Sequence, residues 1–93
     1  MYYTYVLWSS GDRKFYIGYT TDLERRLREH RSGQCHTTTR MDNPQHIFYE
    51  AFCAQDDAKR REVYFKTTKG KKTLRLMLRK SIEEIACPVP ILL

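Results

Sequence analysis

The chain has 93 residues, 41% hydrophobic and 30% charged, a balance that indicates one globular domain and excludes an intrinsically disordered chain. Seventeen Lys and Arg residues against eleven Asp and Glu give a net charge of +6, which favours polyanionic partners such as nucleic acid. Three cysteines without a CxxC spacing argue against a disulfide framework and a zinc site. No apolar run reaches membrane-spanning length and no signal peptide precedes the first predicted strand, so we expect a cytoplasmic protein without a membrane partner.

The N-terminal third predicts a β-hairpin followed by a helix. Residues 2–8 and 15–19 are rich in aromatic and β-branched side chains, and a Ser-Ser-Gly-Asp turn cluster separates them. Residues 21–24 fit a capping box in which the Thr21 hydroxyl accepts from the amide of Glu24. We therefore expect a helix from Asp22 to about Arg31.

The remaining sequence predicts one strand and two helices. The aromatic content of residues 46–52 indicates a third strand, and residues 56 to about 66 a second helix. Lys69-Gly70-Lys71 is expected to interrupt the helical region, and an apolar stripe predicts a third helix from about Lys72 to Ala86. Prolines follow, so we expect residues 1–86 to form the domain and residues 87–93 a C-terminal tail.

The predicted order is β-β-α-β-α-α, which is an α+β fold. Three short strands cannot enclose a core by themselves, so helices must cover at least one face of the sheet. The direction of the third strand does not follow from the pattern alone.

Several polar residues stand where an open site could form. Tyr5 and Tyr16 can share a sheet face if the hairpin register allows it, and Arg26 lies in the helix after the second strand. Glu62 is the one acid among ten basic residues between Lys59 and Lys80. Each has a simpler interpretation: tyrosines that pack on a sheet, a solvated basic helix face, and a surface ion pair for Glu62 worth well under ~1 kcal/mol.

The same residues taken in order resemble a known family. The tripeptides Tyr3-Thr4-Tyr5 and Tyr16-Ile17-Gly18, the helix at residues 22–30, the strand at 47–52 and the segment 57–66 resemble the GIY-YIG nuclease domain over about residues 2–80. The chain is similar to the short bacterial stand-alone members, which resemble the N-terminal domain of the C component of excinuclease ABC. The resemblance implies a three-stranded antiparallel sheet flanked by helices, and magnesium- or manganese-dependent DNA cleavage in DNA repair or recombination.

The resemblance also implies roles for individual residues. Tyr5 and Tyr16 match the motif tyrosines, and of the two Tyr16 is favoured as the base. Arg26 matches the helix arginine, whose two-pronged donor geometry suits a phosphate. His30 matches a histidine one turn later that either assists proton transfer or is a bystander. Glu62 matches the carboxylate that holds one Mg²⁺ or Mn²⁺ ion, which needs only one or two carboxylates beside water and phosphate oxygens.

Cations near the tyrosines matter for this chemistry. Tyrosine ordinarily has a pKa near ~10, so a cation must lower it or the tyrosine must only orient the attacking water. Tyr19 stands where some members carry a lysine, and Arg25 or Lys66 would have to substitute for it. The residues expected to contact nucleic acid are basic and follow the two helix motifs: Arg25, Lys66, Lys69, Lys71 and Lys72.

Two functions are consistent with the sequence. The first is a metal-dependent DNA endonuclease. The second is a nucleic-acid-binding module that keeps the fold with little or no turnover. DNA is the expected partner and RNA remains open, and target choice would come from this surface, a homodimer or a protein partner.

Overall fold

A computed structural model of the chain describes residues 1–31 and 44–86. Its strands β1 (Tyr2–Ser9), β2 (Lys14–Thr20) and β3 (Pro44–Phe52) form one antiparallel sheet in the order β2-β1-β3. The helices are α1 (Leu23–Arg31), α2 (Gln55–Lys66), α3 (Thr68–Met77) and α4 (Arg79–Ala86). The predicted α+β fold with a three-stranded antiparallel sheet is confirmed.

The pairing register decides which side chains share a face. Tyr5 pairs with Gly18 and Leu7 with Tyr16, so both motif tyrosines project from one side, which we call the tyrosine face. Val6 and its partner in β2 alternate with them and project from the other side, the core face. The register on which the tyrosine prediction depends is thus the one that brings the two rings together.

The core face carries the packed interior. A buried cluster joins β1 and β2 to α2, α3 and the residue that follows α3: Val6, Ile17, Phe65, Leu74 and Leu78. The Thr4 hydroxyl donates to the carbonyl of Ala58 at 2.6 Å, which fixes α2 against the centre of the sheet. Helix α1 contacts the opposite, tyrosine face through His30 and Arg26, so helices cover both sides.

The last helical region differs from the prediction. It begins at Thr68, before the start expected near Lys72, and divides at Leu78 into α3 and α4. The Thr67 hydroxyl accepts from the amide of Gly70 at 3.0 Å, so the interruption is a cap at Thr67. Gly70 itself lies inside α3, where a Cβ would overlap the carbonyl oxygen of Tyr64. The glycine permits close helix packing, and the prediction of a helix break at Gly70 was wrong.

The cap of α1 is also shifted. The Asp22 carboxylate, and not the Thr21 hydroxyl, accepts at the third helical amide, from Arg25 at 3.1 Å. The helix therefore begins one residue later than the capping box suggests.

Strand β3 starts slightly earlier than expected. It begins at Pro44, two residues before the predicted start, a position at which an edge strand tolerates proline. The predicted tail at residues 87–93 lies outside the described residues. In residues 1–31 and 44–86, no helix has the length and apolar character needed to cross a membrane.

Candidate active site

Tyr5 is the centre of a polar cluster on the tyrosine face. Its side chain is completely buried, and its hydroxyl lies 2.9 Å from Nε2 of His30. Nε of Arg26 donates to the same oxygen at 3.3 Å. Both partners come from α1, one turn apart, so a single helix delivers a guanidinium and an imidazole to one phenol.

Gly18 makes room for this phenol. A Cβ at Gly18 would overlap both Cζ and the hydroxyl oxygen of Tyr5. The Tyr5 ring thus extends over its pairing partner in β2, which is an edge strand of the sheet. The glycine of the second motif is required by a close approach, and a glycine inside a strand was the available signal for it.

Tyr16 completes the cluster. Its ring centroid lies 6.4 Å from that of Tyr5 and 5.5 Å from that of His30, the latter in an edge arrangement. The His30 and Tyr5 centroids are 5.4 Å apart. Tyr16 is only half-buried, whereas Tyr5 and His30 are buried, so Tyr16 is the most solvent-accessible of the three rings. Four predicted site residues, including Arg26, are therefore in contact.

Arg26 has a second partner that the sequence interpretation missed. Its Nη1 forms an ion pair with the Glu29 carboxylate at 3.2 Å, and both side chains are about one-third exposed. With Nε held by Tyr5, the guanidinium is fixed at two of its three nitrogens. The sequence feature that could have indicated this ion pair is the spacing of an arginine and a glutamate three positions apart on a helix. Glu29 is thus an orienting residue for Arg26.

Burial controls the protonation of His30. The pKa of His30 is lowered from 6.5 chiefly because burial penalises the charged ring, and secondly because Arg26 repels a positive charge. Glu29 acts in the opposite direction. The neutral imidazole is therefore favoured, and a neutral Nε2 can accept the proton of the Tyr5 hydroxyl while that oxygen accepts from Arg26.

Glu62 is on α2, which contacts β2 on the core face. Gln55 donates to the Tyr19 hydroxyl at 3.1 Å, and the Lys59 ammonium lies 5.4 Å from the Tyr19 ring centroid. Glu62 is three positions after Lys59 on α2, so the three α2 side chains share the side that faces β2. Its carboxylate is mostly buried and pairs with Lys66 at 3.0 Å.

The course of α2 sets the level at which Glu62 meets the sheet. Ala58 contacts Thr4, and Phe65 packs with Val6, so α2 runs in the same direction as β1. Because Glu62 lies between Ala58 and Phe65 along α2, we infer that it is level with the middle of β2. The polar cluster borders the same part of β2 from the other face. Within the described residues, no hydrogen bond or ion pair joins Glu62 to that cluster.

The predicted cations have different surroundings. Lys66 is engaged by Glu62, and Arg25 is exposed on α1. Lys69 and Lys72 are exposed in the first turns of α3, and Lys71 is half-buried there. The part of the chain described has no group of three or more His, Cys, Asp or Glu side chains able to hold a metal together. Glu62 thus remains the predicted single carboxylate, and the roles of these basic residues stay predictions.

The comparisons with known proteins identify the domain. Residues 1–75 match the GIY-YIG catalytic domain. Two similar sequences are UPF0213 proteins: one from Pediococcus acidilactici is 38% identical over 79 residues, which span 82% of this chain and 80% of the relative. One from Streptococcus agalactiae serotype V is 45% identical over 65 residues, which span 69% of this chain and 73% of the relative.

A solved structure shows the same likeness. The solution NMR structure of a UPF0213 protein from Bacillus halodurans has a TM-score of 0.52 and 32% identity, and covers 83% of this chain and 85% of that one. The matched range contains all the predicted catalytic and metal-binding residues: Tyr5, Tyr16, Arg26, His30 and Glu62. The chain therefore belongs to the GIY-YIG family, whose catalytic domain is of the nuclease type, and within it to the UPF0213 proteins.

Proposed function

We propose that this chain is a metal-dependent DNA endonuclease that hydrolyses phosphodiester bonds beside β2. The observation that carries the proposal is the buried Tyr5 hydroxyl held by both His30 and Arg26, with the accessible Tyr16 ring packed against them. This arrangement places a guanidinium and an imidazole on a buried phenol, which the stability of a sheet does not require. A phosphodiesterase needs a fixed cation and a proton acceptor near one phosphate.

The residues of the cluster have different roles in this reaction, which follow from how exposed each side chain is. Arg26 is partly exposed and fixed by Tyr5 and Glu29, so its guanidinium can donate to phosphate oxygens with little reorganisation. Tyr16 contacts the solvent side and orients the attacking water. Tyr5 and His30 are buried and act as positioning residues, with neutral His30 available to take up a proton.

The overall step is a hydrolysis. The water oxygen forms a bond to phosphorus and the bond from phosphorus to the leaving oxygen breaks. The water gives up one proton and the leaving oxygen gains one, so the products are a phosphomonoester and an alcohol. In-line geometry requires water and leaving oxygen on opposite sides of the phosphate, with the charged phosphate oxygens toward Arg26.

One divalent ion fits the residues present. Glu62 is a lone carboxylate in a mostly buried position, which suits Mg²⁺ or Mn²⁺ because these ions retain waters and bind substrate phosphates. Such an ion would supply positive charge to the phosphate and the leaving oxygen. Lys66 would have to release the carboxylate, so metal binding and the Glu62–Lys66 ion pair compete.

The test is a cleavage panel with a matched control. Duplex, flap, branched and single-stranded DNA and RNA are incubated with the purified chain and Mg²⁺ or Mn²⁺, beside the variants Glu62→Gln and Glu24→Gln. Glu24 pairs with Arg28 at 3.8 Å on α1, so Glu24→Gln loses the same charge outside the site. We expect Glu62→Gln to lower the cleavage rate at least ~100-fold with DNA affinity retained, and Glu24→Gln to cut normally.

Two outcomes contradict the proposal. One is no cleavage of any nucleic acid with either ion. The other is equal cleavage by the wild-type chain and Glu62→Gln. RNA cleavage without DNA cleavage would retain the chemistry and reject DNA as the substrate.

A binding module with little turnover is the second candidate. It is favoured by the Glu62–Lys66 ion pair, which already neutralises the carboxylate, and by exposed basic residues such as Lys69 and Lys72. It predicts that the logarithm of the DNA-binding constant falls with the logarithm of the salt concentration, with a slope of about −0.9 for each duplex phosphate contacted. Affinity that does not change with salt contradicts it.

A further inference from the structure

A cleft rich in arginine lies on the core face, where the β1–β2 hairpin meets the C-terminal helices. Its volume is about 260 Å³, and it is lined by Trp8, Arg13, Arg75, Arg79, Ile82 and Glu83. Trp8 alternates with Leu7 along β1, so the cleft is on the opposite side of the sheet from the tyrosine cluster. We call it the arginine cleft.

The three arginines of the cleft have no carboxylate partner among the residues that the structure describes. Among arginines whose side chains the structure describes, four form ion pairs with acids: Arg26, Arg28, Arg60 and Arg61. Arg13, Arg75 and Arg79 form none with the described residues. The one acid of the lining, Glu83, pairs with Lys80 at 3.6 Å. The cleft therefore has an excess of positive charge that the described chain does not neutralise.

Two of these guanidinium groups lie over aromatic rings. The Trp8 and Phe15 rings pack with centroids 4.7 Å apart. The Arg13 guanidinium lies 5.9 Å from the Trp8 centroid, and that of Arg75 lies 6.0 Å from the Phe15 centroid. A guanidinium over an aromatic face can still donate its N–H groups to an anion. The aromatic pair thus forms a floor beneath two guanidinium donors.

Trp8 supplies an independent sign that an acceptor is missing. Its indole Nε1–H is buried and has no hydrogen-bond acceptor among the described residues. An unpaired buried donor destabilises a fold, and such groups are uncommon in native proteins. The wall is rich in N–H donors, and its one carboxylate already pairs with Lys80. A phosphate would provide the acceptor oxygens that this wall needs.

The backbone of Arg13 has an uncommon conformation. Its φ of 54° lies in the left-handed region, which few residues other than glycine adopt. Its amide donates to the carbonyl of Ser9 at 2.7 Å, which fixes the turn in that conformation. The turn thereby carries the Arg13 side chain back over Trp8.

We propose that the arginine cleft binds a backbone phosphate of the same nucleic acid that the tyrosine cluster cuts. Phe15 and Tyr16 are neighbours on β2 and project to opposite faces, so a strand that follows this sheet edge can contact the cleft on one side and the cluster on the other. The cleft then positions the strand and reads no sequence, as phosphate contacts do. This assignment rests on the proposed endonuclease function.

The single tryptophan of the chain provides a direct reporter. It gives one indole N–H signal in a ¹H–¹⁵N correlation spectrum, and that signal comes from the wall of the cleft. The wild-type chain is titrated with a short DNA duplex, a short single strand and inorganic phosphate, with EDTA present so that nothing is cut. We expect both DNA forms to shift the indole signal, and inorganic phosphate to shift it only at much higher concentration.

Charge-matched variants show whether the shift belongs to the cleft. The double variant Arg75→Gln/Arg79→Gln should lose the indole shift and bind DNA about tenfold more weakly, with a salt slope smaller by about 0.9 because one phosphate contact is gone. The control Arg28→Gln/Arg60→Gln removes two exposed arginines elsewhere and should retain the shift. If the double variant loses its amide dispersion, the single variants Arg75→Gln and Arg79→Gln replace it.

Several outcomes overturn the assignment. DNA that binds without moving the indole signal rejects the cleft, and so does a shift that survives Arg75→Gln/Arg79→Gln. A response to inorganic phosphate but not to DNA makes the cleft a site for free anions instead. Because cleavage is measured separately, cutting without an indole shift rejects the cleft alone, and a shift without cutting rejects the endonuclease alone.

Discussion

The two faces of the sheet use buried aromatic side chains for different purposes. On the core face, Phe65 is completely buried among apolar neighbours such as Val6 and Leu74, and it forms no hydrogen bond through its side chain. On the tyrosine face, Tyr5 is equally buried, but its hydroxyl is held by two polar residues of α1. Burial alone therefore does not distinguish a packing residue from a site residue, and the polar partners do.

The two faces also differ in how much their buried side chains contribute to the stability of the fold. Apolar burial stabilises the fold in proportion to the area removed from water, about 25 cal/mol per Å². A buried hydroxyl with two partners contributes less to stability, because its bonds replace bonds to water. We therefore expect substitutions in the apolar cluster of the core face to act mainly on stability, and those in the tyrosine cluster mainly on the reaction.

The largest effect should come from truncating the centre of the core face. Phe65→Ala leaves a cavity beneath the sheet and should lower the free energy of unfolding by about 3–5 kcal/mol. Tyr5→Phe keeps the ring and should lower it by only about 1–3 kcal/mol, since two polar partners lose one bond each. Urea denaturation of both variants measures the difference, and an equal loss would remove the distinction between the faces.

Two closely packed glycines make a finer comparison. Gly70→Ala places a methyl group against the backbone carbonyl of Tyr64 and should destabilise the fold by about 1–3 kcal/mol, although alanine in a helix usually gains ~1 kcal/mol over glycine. Gly18→Ala presses on the hydroxyl end of Tyr5, a side chain that can move. It should cost less stability and abolish cleavage.

Thermal unfolding measures the stability of both glycine variants, and the cleavage assay measures their activity. Gly70→Ala chains that remain folded should cut at the normal rate. A Gly18→Ala chain that cuts normally would mean that the position of Tyr5 over β2 has no role in the reaction.

The smallest effect should be the pH dependence of stability from His30. Because burial lowers its pKa below 6.5, the unfolded chain binds a proton at a pH where the folded chain does not. The contribution of His30 to the free energy of unfolding is thus fully present above pH 6.5. It declines as the pH falls below 6.5, and it levels off below the pKa that His30 has in the folded chain.

The variant His30→Gln isolates this contribution. The difference in unfolding free energy between the wild-type chain and His30→Gln is measured from pH 8 to pH 5. His46, whose pKa burial also lowers, is present in both chains and cancels. We expect the difference to shrink as the pH falls, and a constant difference would contradict a buried neutral His30.

Much of the fold can be predicted because local patterns determine it. Alternation in β1 assigns Tyr5 and Val6 to opposite faces, and the pairing register agrees. The extents of the first two helices follow from the sequence to within about one residue. The division at Leu78 does not, because apolar residues at helical spacing continue through it and the break lies in the backbone.

Long-range contacts are the part that the sequence could not supply. Gly18 and Gly70 are the same residue type in the sequence, but their surroundings differ. Gly18 accommodates a ring from the neighbouring strand, and Gly70 accommodates a carbonyl from the preceding helix. The arginine cleft joins Trp8 to residues 75–83 at the other end of the domain, and no local pattern connects them. The family resemblance assigns no role to Glu29, so only its spacing from Arg26 on the helix could have indicated the ion pair.

The central claim is that Glu62 and the tyrosine cluster serve one site from opposite faces of β2. Paramagnetic broadening by Mn²⁺ tests it directly, because the ion shortens relaxation only in nearby nuclei. We predict that traces of Mn²⁺ broaden the backbone amide signals of Gly18 and Tyr16 before others, and that Glu62→Gln removes this broadening. Broadening confined to other acidic positions such as Glu83, or unchanged in Glu62→Gln, would contradict the account.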